Sequence, residues 1–206
     1  MTTHSVTPGA GIGAAAVVAA MVERGLTLAV AESLTGGLVM AVLTEVPGAS
    51  AVLRGGPVVY ATDTKASALD VDPGLLAARG PVDPEVADAM AISVRRRWQA
   101  DVGLATTGVA GPDPQTGHPV GEVYLAVADS VGSAVHRLDL AAEGDRRSIR
   151  SRAVDLALAA VLQRLGLTGE ATVGPRGYTG GTPEPGGMYS DMHAGRDLDQ
   201  DRKERR

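Results

Sequence analysis

The clearest structural signal in the chain is Thr27-Leu28-Ala29-Val30-Ala31-Glu32-Ser33-Leu34-Thr35-Gly36-Gly37-Leu38-Val39-Met40-Ala41. An aliphatic run ends at Glu32-Ser33, a Thr-Gly-Gly turn follows, and a second apolar run takes over, a pattern that reads as strand, tight turn and helix. The Ser33 hydroxyl then sits at a strand tip. A helix beginning near Thr35 aims free backbone N–H groups, and the positive end of its dipole, at the space beside that hydroxyl. Two readings stand at this point. Ser33 is a nucleophile beside an anion hole, or Ser33 and Thr35 are helix caps and the glycines turn the chain.

Across the whole chain, 206 residues with 44% hydrophobic side chains suffice for one sizeable core. The absence of cysteine removes disulfides, thiol nucleophiles and cysteine metal sites together. The apolar run from Ala14 to Val22 lacks a basic leader and meets Glu23-Arg24 at once, so it reads as a core-facing helix and a cytoplasmic location is expected. No apolar stretch is long enough to span a bilayer, so no membrane partner is expected. A net charge of -5 gives no electrostatic reason to bind nucleic acid, which leaves a small molecule as the expected substrate. With one Trp, no Phe and 2% aromatic residues, alanine and branched aliphatics must fill the core, which suits helices packed closely on a sheet.

Along the chain, residues 1–9 form a loose head, and a first helix from Gly11 to Arg24 stops at Gly25. The glycines of Gly9-Ala10-Gly11-Ile12-Gly13 have the wrong spacing, and no preceding strand, for a dinucleotide loop. After the opening strand, turn and helix, Val46–Ser50 is a turn and Ala51–Tyr60 a second strand, its Gly55-Gly56-Pro57 marking a bulge or an edge position. Ala61–Leu69 and Pro73–Arg79 read as short helices. Pro84–Trp98 reads as a longer one, capped by Asp83 with Pro84 in its first position. Val102–Thr106 is a third strand that runs into Thr107-Gly108-Val109-Ala110-Gly111-Pro112. Gly121–Ala128 and Ser133–Leu140 form a hairpin, and Asp145–Leu165 an amphipathic helix. The domain is therefore expected over residues 10–166. From residue 167 to 206, eight glycines, three prolines and mixed charges predict a disordered tail.

Several chemistries have no motif here. His4, His118, His136 and His193 are scattered without ligand spacing, so no metal site is expected. Neither lysine follows a phosphate-loop glycine pattern, and there is no Gly-x-Ser-x-Gly elbow. The lysines themselves are informative. Of 19 cationic residues only Lys65 and Lys203 are lysines, and the second lies in the tail. Arginine does not release its proton in a protein, whereas burial or a neighbouring cation brings a lysine toward neutrality. Lys65 is accordingly a candidate general base, or else one surface lysine that survived a preference for arginine. Tyr60, five residues earlier, shares no helix face with Lys65, yet the two can converge at a strand-to-helix junction. The functional reading is a Ser33, Tyr60, Lys65 cluster in which Lys65 takes the Ser33 proton directly or through the Tyr60 hydroxyl. The Thr35-Gly36-Gly37 and Thr107-Gly108 loops then supply N–H donors to an oxyanion or a phosphate. Tyr60 also reads as an ordinary strand aromatic.

Five ordered motifs, Ala31-Glu32-Ser33-Leu34-Thr35-Gly36-Gly37, Pro47-Gly48, Gly55-Gly56 with Val59-Tyr60 and Lys65, Thr107–Pro112, and Pro119-Val120-Gly121-Glu122-Val123-Tyr124, resemble the CinA C-terminal domain family over about residues 10 to 166. The resemblance implies a single three-layer α/β/α sandwich domain with a mixed sheet. It also implies metal-independent hydrolysis of nicotinamide mononucleotide to nicotinate mononucleotide and ammonia, with no cofactor. The family's serine, tyrosine and lysine fall on Ser33, Tyr60 and Lys65. Thr35, Gly36, Gly37, Thr107, Gly108, Gly111 and Arg146 are the expected substrate-binding positions, with Asp145 as N-cap of the last helix and Arg146 either reaching a phosphate or lying on the surface.

Leu34, Ala49, Ala61 and Thr62 depart from the residues common in the family, and the last three put rate and substrate preference in question more than fold. The chain resembles the stand-alone form, without the additional N-terminal domain of larger relatives, and the family suggests a homo-oligomer. The leading expectation is an amidase acting through a Ser33 acyl-enzyme in pyridine nucleotide salvage. The alternatives are a nucleotide-binding or regulatory module with little turnover, and an amidase for another small amide.

Overall fold

The computed structural model describes residues 13–167, so the expected head and all but the first residue of the expected tail lie outside the described residues. The helices are α1 (Ala14–Arg24), α2 (Leu38–Thr44), α3 (Thr62–Leu69), α4 (Pro73–Arg79), α5 (Pro84–Arg97) and α6 (Arg146–Arg164). The strands are β1 (Leu28–Glu32), β2 (Leu53–Gly55), β3 (Val102–Gly108), β4 (Glu122–Ala128) and β5 (Ser133–Asp139). They form one sheet in the order β2-β1-β3-β4-β5. β1 runs parallel to both β2 and β3, while β4 runs antiparallel to β3 and β5. The sheet is therefore mixed. Its parallel half needs crossovers, and those crossovers carry α2 to one face and α3, α4 and α5 to the other.

The alternation of side chains along each strand assigns the two faces. Leu28 and Val30 of β1, Leu104 of β3, and Val123, Leu125 and Val127 of β4 pack with α1, α2 and α6. Ala29 and Ala31, Ala105, and Ala126 and Ala128 point the other way and pack with α3, α4 and α5. Large aliphatics fill one layer; alanines line the other and let α5 come close. Gly103 is the extreme case, because a Cβ there would lie 2.2 Å from Ala91 O and 2.7 Å from Arg95 Cβ. The scarcity of aromatics predicts close packing, and this face shows how it is achieved.

Two elements differ from their sequence reading. The second strand, expected over residues 51–60, pairs only from Leu53 to Gly55 and returns as a single bridge between Glu32 and Val58. At Gly56 the backbone crosses so close to β1 that a Cβ would sit 1.8 Å from Val30 O, which interrupts regular pairing. The strand is an edge strand, as its glycines and Pro57 suggested. The second helix, expected from near Thr35, starts at Leu38, and residues 33–37 form turns instead. The other boundaries fall within a few residues of expectation, including the Gly25 stop, the Asp83 cap on Glu85 N–H and the Asp145 cap on Ser148 N–H. Among the described residues no helix is long and apolar enough to cross a membrane.

Candidate active site

Ser33 follows directly on β1, an interior strand of the sheet, and its N–H donates to Thr106 O of β3 at 3.0 Å. The parallel pairing of Glu32 with Thr106 therefore continues one residue past the strand and holds the serine at the strand tip. Lys65 comes from the first turns of α3 and is fully buried. Its Nζ lies 3.1 Å from Ser33 Oγ and donates to Val59 O at 2.8 Å. Burial brings the Lys65 ammonium down from 10.5 to about 8. In the neutral amine, one N–H remains on Val59 O while the lone pair is free to accept the Ser33 proton, so the carbonyl orients the base. The site thus contains a serine hydroxyl and a depressed amine already in contact.

A cleft beside this pair is lined by Ser33, Leu34, Tyr60, Lys65, Thr107 to Gly111, and Arg146, with Pro81, Val82, Asp113 and Gln115 completing its wall. Tyr60 reaches it from the segment between β2 and α3 but is 57% exposed, and its hydroxyl accepts a hydrogen bond from the Arg146 guanidinium. Arg146, in the first turn of α6, also donates to Gly111 O. Ser33 and Lys65 are joined directly, while Tyr60 pairs with Arg146 on the cleft's outer side. Thr107 lines the cleft, and its hydroxyl donates to Pro81 O at 2.6 Å.

Thr35, Gly36 and Gly37 lie elsewhere. Thr35 is fully buried and its hydroxyl pairs with that of Thr106 at 2.7 Å. Gly36 N–H donates to Ser33 O at 3.0 Å, and Gly37 N–H donates to Glu32 Oε2 at 2.8 Å. The buried Glu32 carboxylate also accepts from Val39 and Met40 N–H, so a side chain of this protein occupies the start of α2. Neither Ser33 nor Thr35 serves as a cap of α2, and its amides do not face the serine. The donors left in the turn are the Leu34 and Thr35 amides, which have no acceptor among the described residues.

Sequence reasoning missed Glu32, although a carboxylate placed before a glycine turn and an apolar helix is a recognisable anion for a helix start. It also missed Arg150, whose Nε donates to Leu34 O at 2.9 Å and Nη2 to Thr35 O at 2.7 Å, because nothing local links positions 116 residues apart. Among the described residues no three His, Asp or Glu side chains gather in a way that could hold a metal.

The fold and the site define a three-layer α/β/α protein with a buried serine–lysine pair at the tip of its central strands. The chain belongs to the CinA C-terminal domain family, whose profile matches residues 13–165. It is 54% identical over 149 residues to a CinA-like protein of Frankia casuarinae, covering 72% of this chain and 34% of that protein. A CinA-like protein of Geobacter sp. is 46% identical over 129 residues, covering 62% and 31% respectively. The chain thus spans about a third of the length of these curated relatives. Among solved structures, the competence/damage inducible protein CihA of Agrobacterium tumefaciens superposes with a TM-score of 0.71 at 34% identity, covering 78% of this chain and 98% of that one. A CinA superfamily protein of Escherichia coli gives 0.71 at 30% identity, covering 73% and 87%.

Proposed function

We propose that this domain is a serine amidase that converts nicotinamide mononucleotide to nicotinate mononucleotide and ammonia. The observation that carries the reading is the 3.1 Å contact between Ser33 Oγ and a fully buried lysine amine whose proton affinity is depressed. In the first half-reaction neutral Lys65 accepts the Ser33 proton as Oγ bonds to the carboxamide carbon. The tetrahedral adduct then collapses, its nitrogen takes that proton from Lys65, and ammonia leaves from an acyl ester on Ser33. In the second half, water gives a proton to Lys65 and adds to the ester carbon. The carbon–Oγ bond breaks, Oγ recovers the proton from Lys65, and the carboxylic acid is released, giving its remaining proton to water or to the ammonia. Of the two amides without acceptors, that of Leu34 belongs to a residue that lines the cleft beside the nucleophile, where an oxyanion needs donors. Arg146 and Tyr60 at the outer rim supply a cation and a hydroxyl for the nucleotide phosphate, with Thr107, Gly108 and Gly111 along the wall between.

Purified protein should release ammonia from nicotinamide mononucleotide, with kcat/KM rising as pH passes through about 8 because the base must be neutral. Ser33→Ala should lower kcat by about 10⁴-fold or more, as losing a nucleophile does elsewhere. Full activity in that variant would remove Ser33 from the role. Binding of the nucleotide without turnover in the wild type would favour a binding module, and ammonia from other amides alone would change the substrate.

A further inference from the structure

The guanidinium of Arg150 reaches from α6 across to the turn that follows the nucleophile and holds two successive carbonyls, Leu34 O through Nε at 2.9 Å and Thr35 O through Nη2 at 2.7 Å. Arg146 lies four residues earlier and so on the same face of α6; it holds Gly111 O and the Tyr60 hydroxyl. One helix face therefore pins the nucleophile turn with one arginine and the opposite cleft wall with the other. The approach is close: a Cβ on Gly36 would lie 3.2 Å from Arg150 Nη2.

The carbonyls matter because of what is attached to them. A trans peptide is planar, and its N–H points opposite to its C=O. With Leu34 O drawn to Arg150, the Thr35 N–H is turned away from α6. Ser33 O meanwhile takes the Gly36 N–H, which fixes the Leu34 N–H facing out of the turn. These are the two amides without acceptors. We propose that Arg150 is a positioning residue: by gripping Thr35 O it holds the Gly36 N–H of the same peptide on Ser33 O, and so sets the Leu34 amide as a donor to the oxyanion formed on Ser33, while its second bond, to Leu34 O, fixes the turn between them. The proposal rests on the serine nucleophile of the preceding reading. It explains the residue type, since only a planar fork with two divergent donors spans two carbonyls of one turn; a lysine offers a single point charge and holds one of them at a time. A residue acting only on the transition state alters kcat and leaves substrate binding alone.

The test uses the full chain as wild type, R150K and R150A, with two readouts: ammonia release from nicotinamide mononucleotide over pH, and the rate at which phenylmethanesulfonyl fluoride adds covalently to Ser33, followed by intact mass. Wild type should label at Ser33. In R150K, kcat should fall about 10- to 100-fold, as misplaced donors cost, with KM within about threefold and the pH midpoint unmoved because Lys65 is untouched. Labelling should slow in parallel, and added guanidinium should restore part of both rates in R150A. Unchanged kcat and labelling in R150K and R150A overturn the proposal, as does a rise in KM alone. If R150A does not fold, R150K decides, because it keeps the charge and the stem. If wild type labels at Ser33 but releases no ammonia, the substrate assignment fails while the labelling rates still judge Arg150. If wild type does not label, the nucleophile fails and the proposal falls with it.

Discussion

Thr35 separates a binding role from a structural one at the level of a single side chain. It was expected among the substrate-binding positions, yet its hydroxyl is fully buried and shared with Thr106 at 2.7 Å. Thr35→Val keeps the shape and removes that bond, leaving the Thr106 hydroxyl short of a partner, which costs about 1–3 kcal/mol. Urea denaturation should show that loss while KM for the nucleotide stays within about threefold. A tenfold rise in KM at unchanged stability would instead put Thr35 on the substrate. The same contrast explains what could be read from sequence alone. Lys65 stood out because arginine replaces lysine everywhere else in the folded body, a matter of chemistry that needs no coordinates. Ser33 stood out because a strand tip before a glycine turn is a local pattern. Glu32 was legible as a motif residue but not as the group that fills the start of α2, since that depends on the path of the turn through Gly37, Val39 and Met40. The pairing of Arg150 with the turn after Ser33 has no local trace at all, because it forms only when α6 returns to the sheet beside residues 34 and 35.

Among the elements, β3 and α5 fix how tightly the alanine-lined layer closes. β3 has a glycine at position 103, where α5 passes with no room for a methyl group, and the obstacle is backbone, Ala91 O at 2.2 Å. Gly103→Ala forces the helix to shift away from the strand, and overpacking of this kind costs about 1–3 kcal/mol. The midpoint of urea unfolding should fall accordingly, and an unchanged midpoint would mean that the layer is looser than these distances imply. The elements with strong local signals, α5, the β4–β5 hairpin and α6, were legible from capping residues and periodicity. β2 was shorter than its apolar run because its partner's backbone at Val30 limits it, a tertiary constraint no window of sequence contains. The start of α2 moved for a similar reason: the buried carboxylate of Glu32 caps the helix at Gly37, two residues beyond the hydroxyl-bearing Thr35 that local preference favoured.

For the molecule as a whole, the buried amine in the cleft is a burden on the fold. Lys65 is fully buried with a single serine hydroxyl and one carbonyl as partners, and no hydrogen bond or ion pair found for it brings a carboxylate to offset its charge. The native ammonium titrates at about 8, while the unfolded chain holds the same proton to about 10.5. Below about pH 8 both states are protonated and the native state carries the full cost of the buried cation, which that gap sets at about 3 kcal/mol. As pH rises beyond 8 the native state gives up the proton first, the unfolded chain binds more protons, and stability increases with pH until the unfolded lysine titrates as well. Chemical denaturation between pH 7 and 10 should therefore show wild-type unfolding free energy rising by on the order of 1–3 kcal/mol, against the usual decline of proteins in alkali. Lys65→Met should abolish the rise. Arginines do not titrate in this range, and Tyr124, pushed upward by burial and by Glu122, acts only above its ordinary value of 10. Equal curves for the two proteins would show that Lys65 is not the group that titrates. A rise confined to the wild type, over the same pH interval in which kcat/KM increases, would tie the instability of the fold at neutral pH and the activity of the cleft to one proton on one amine.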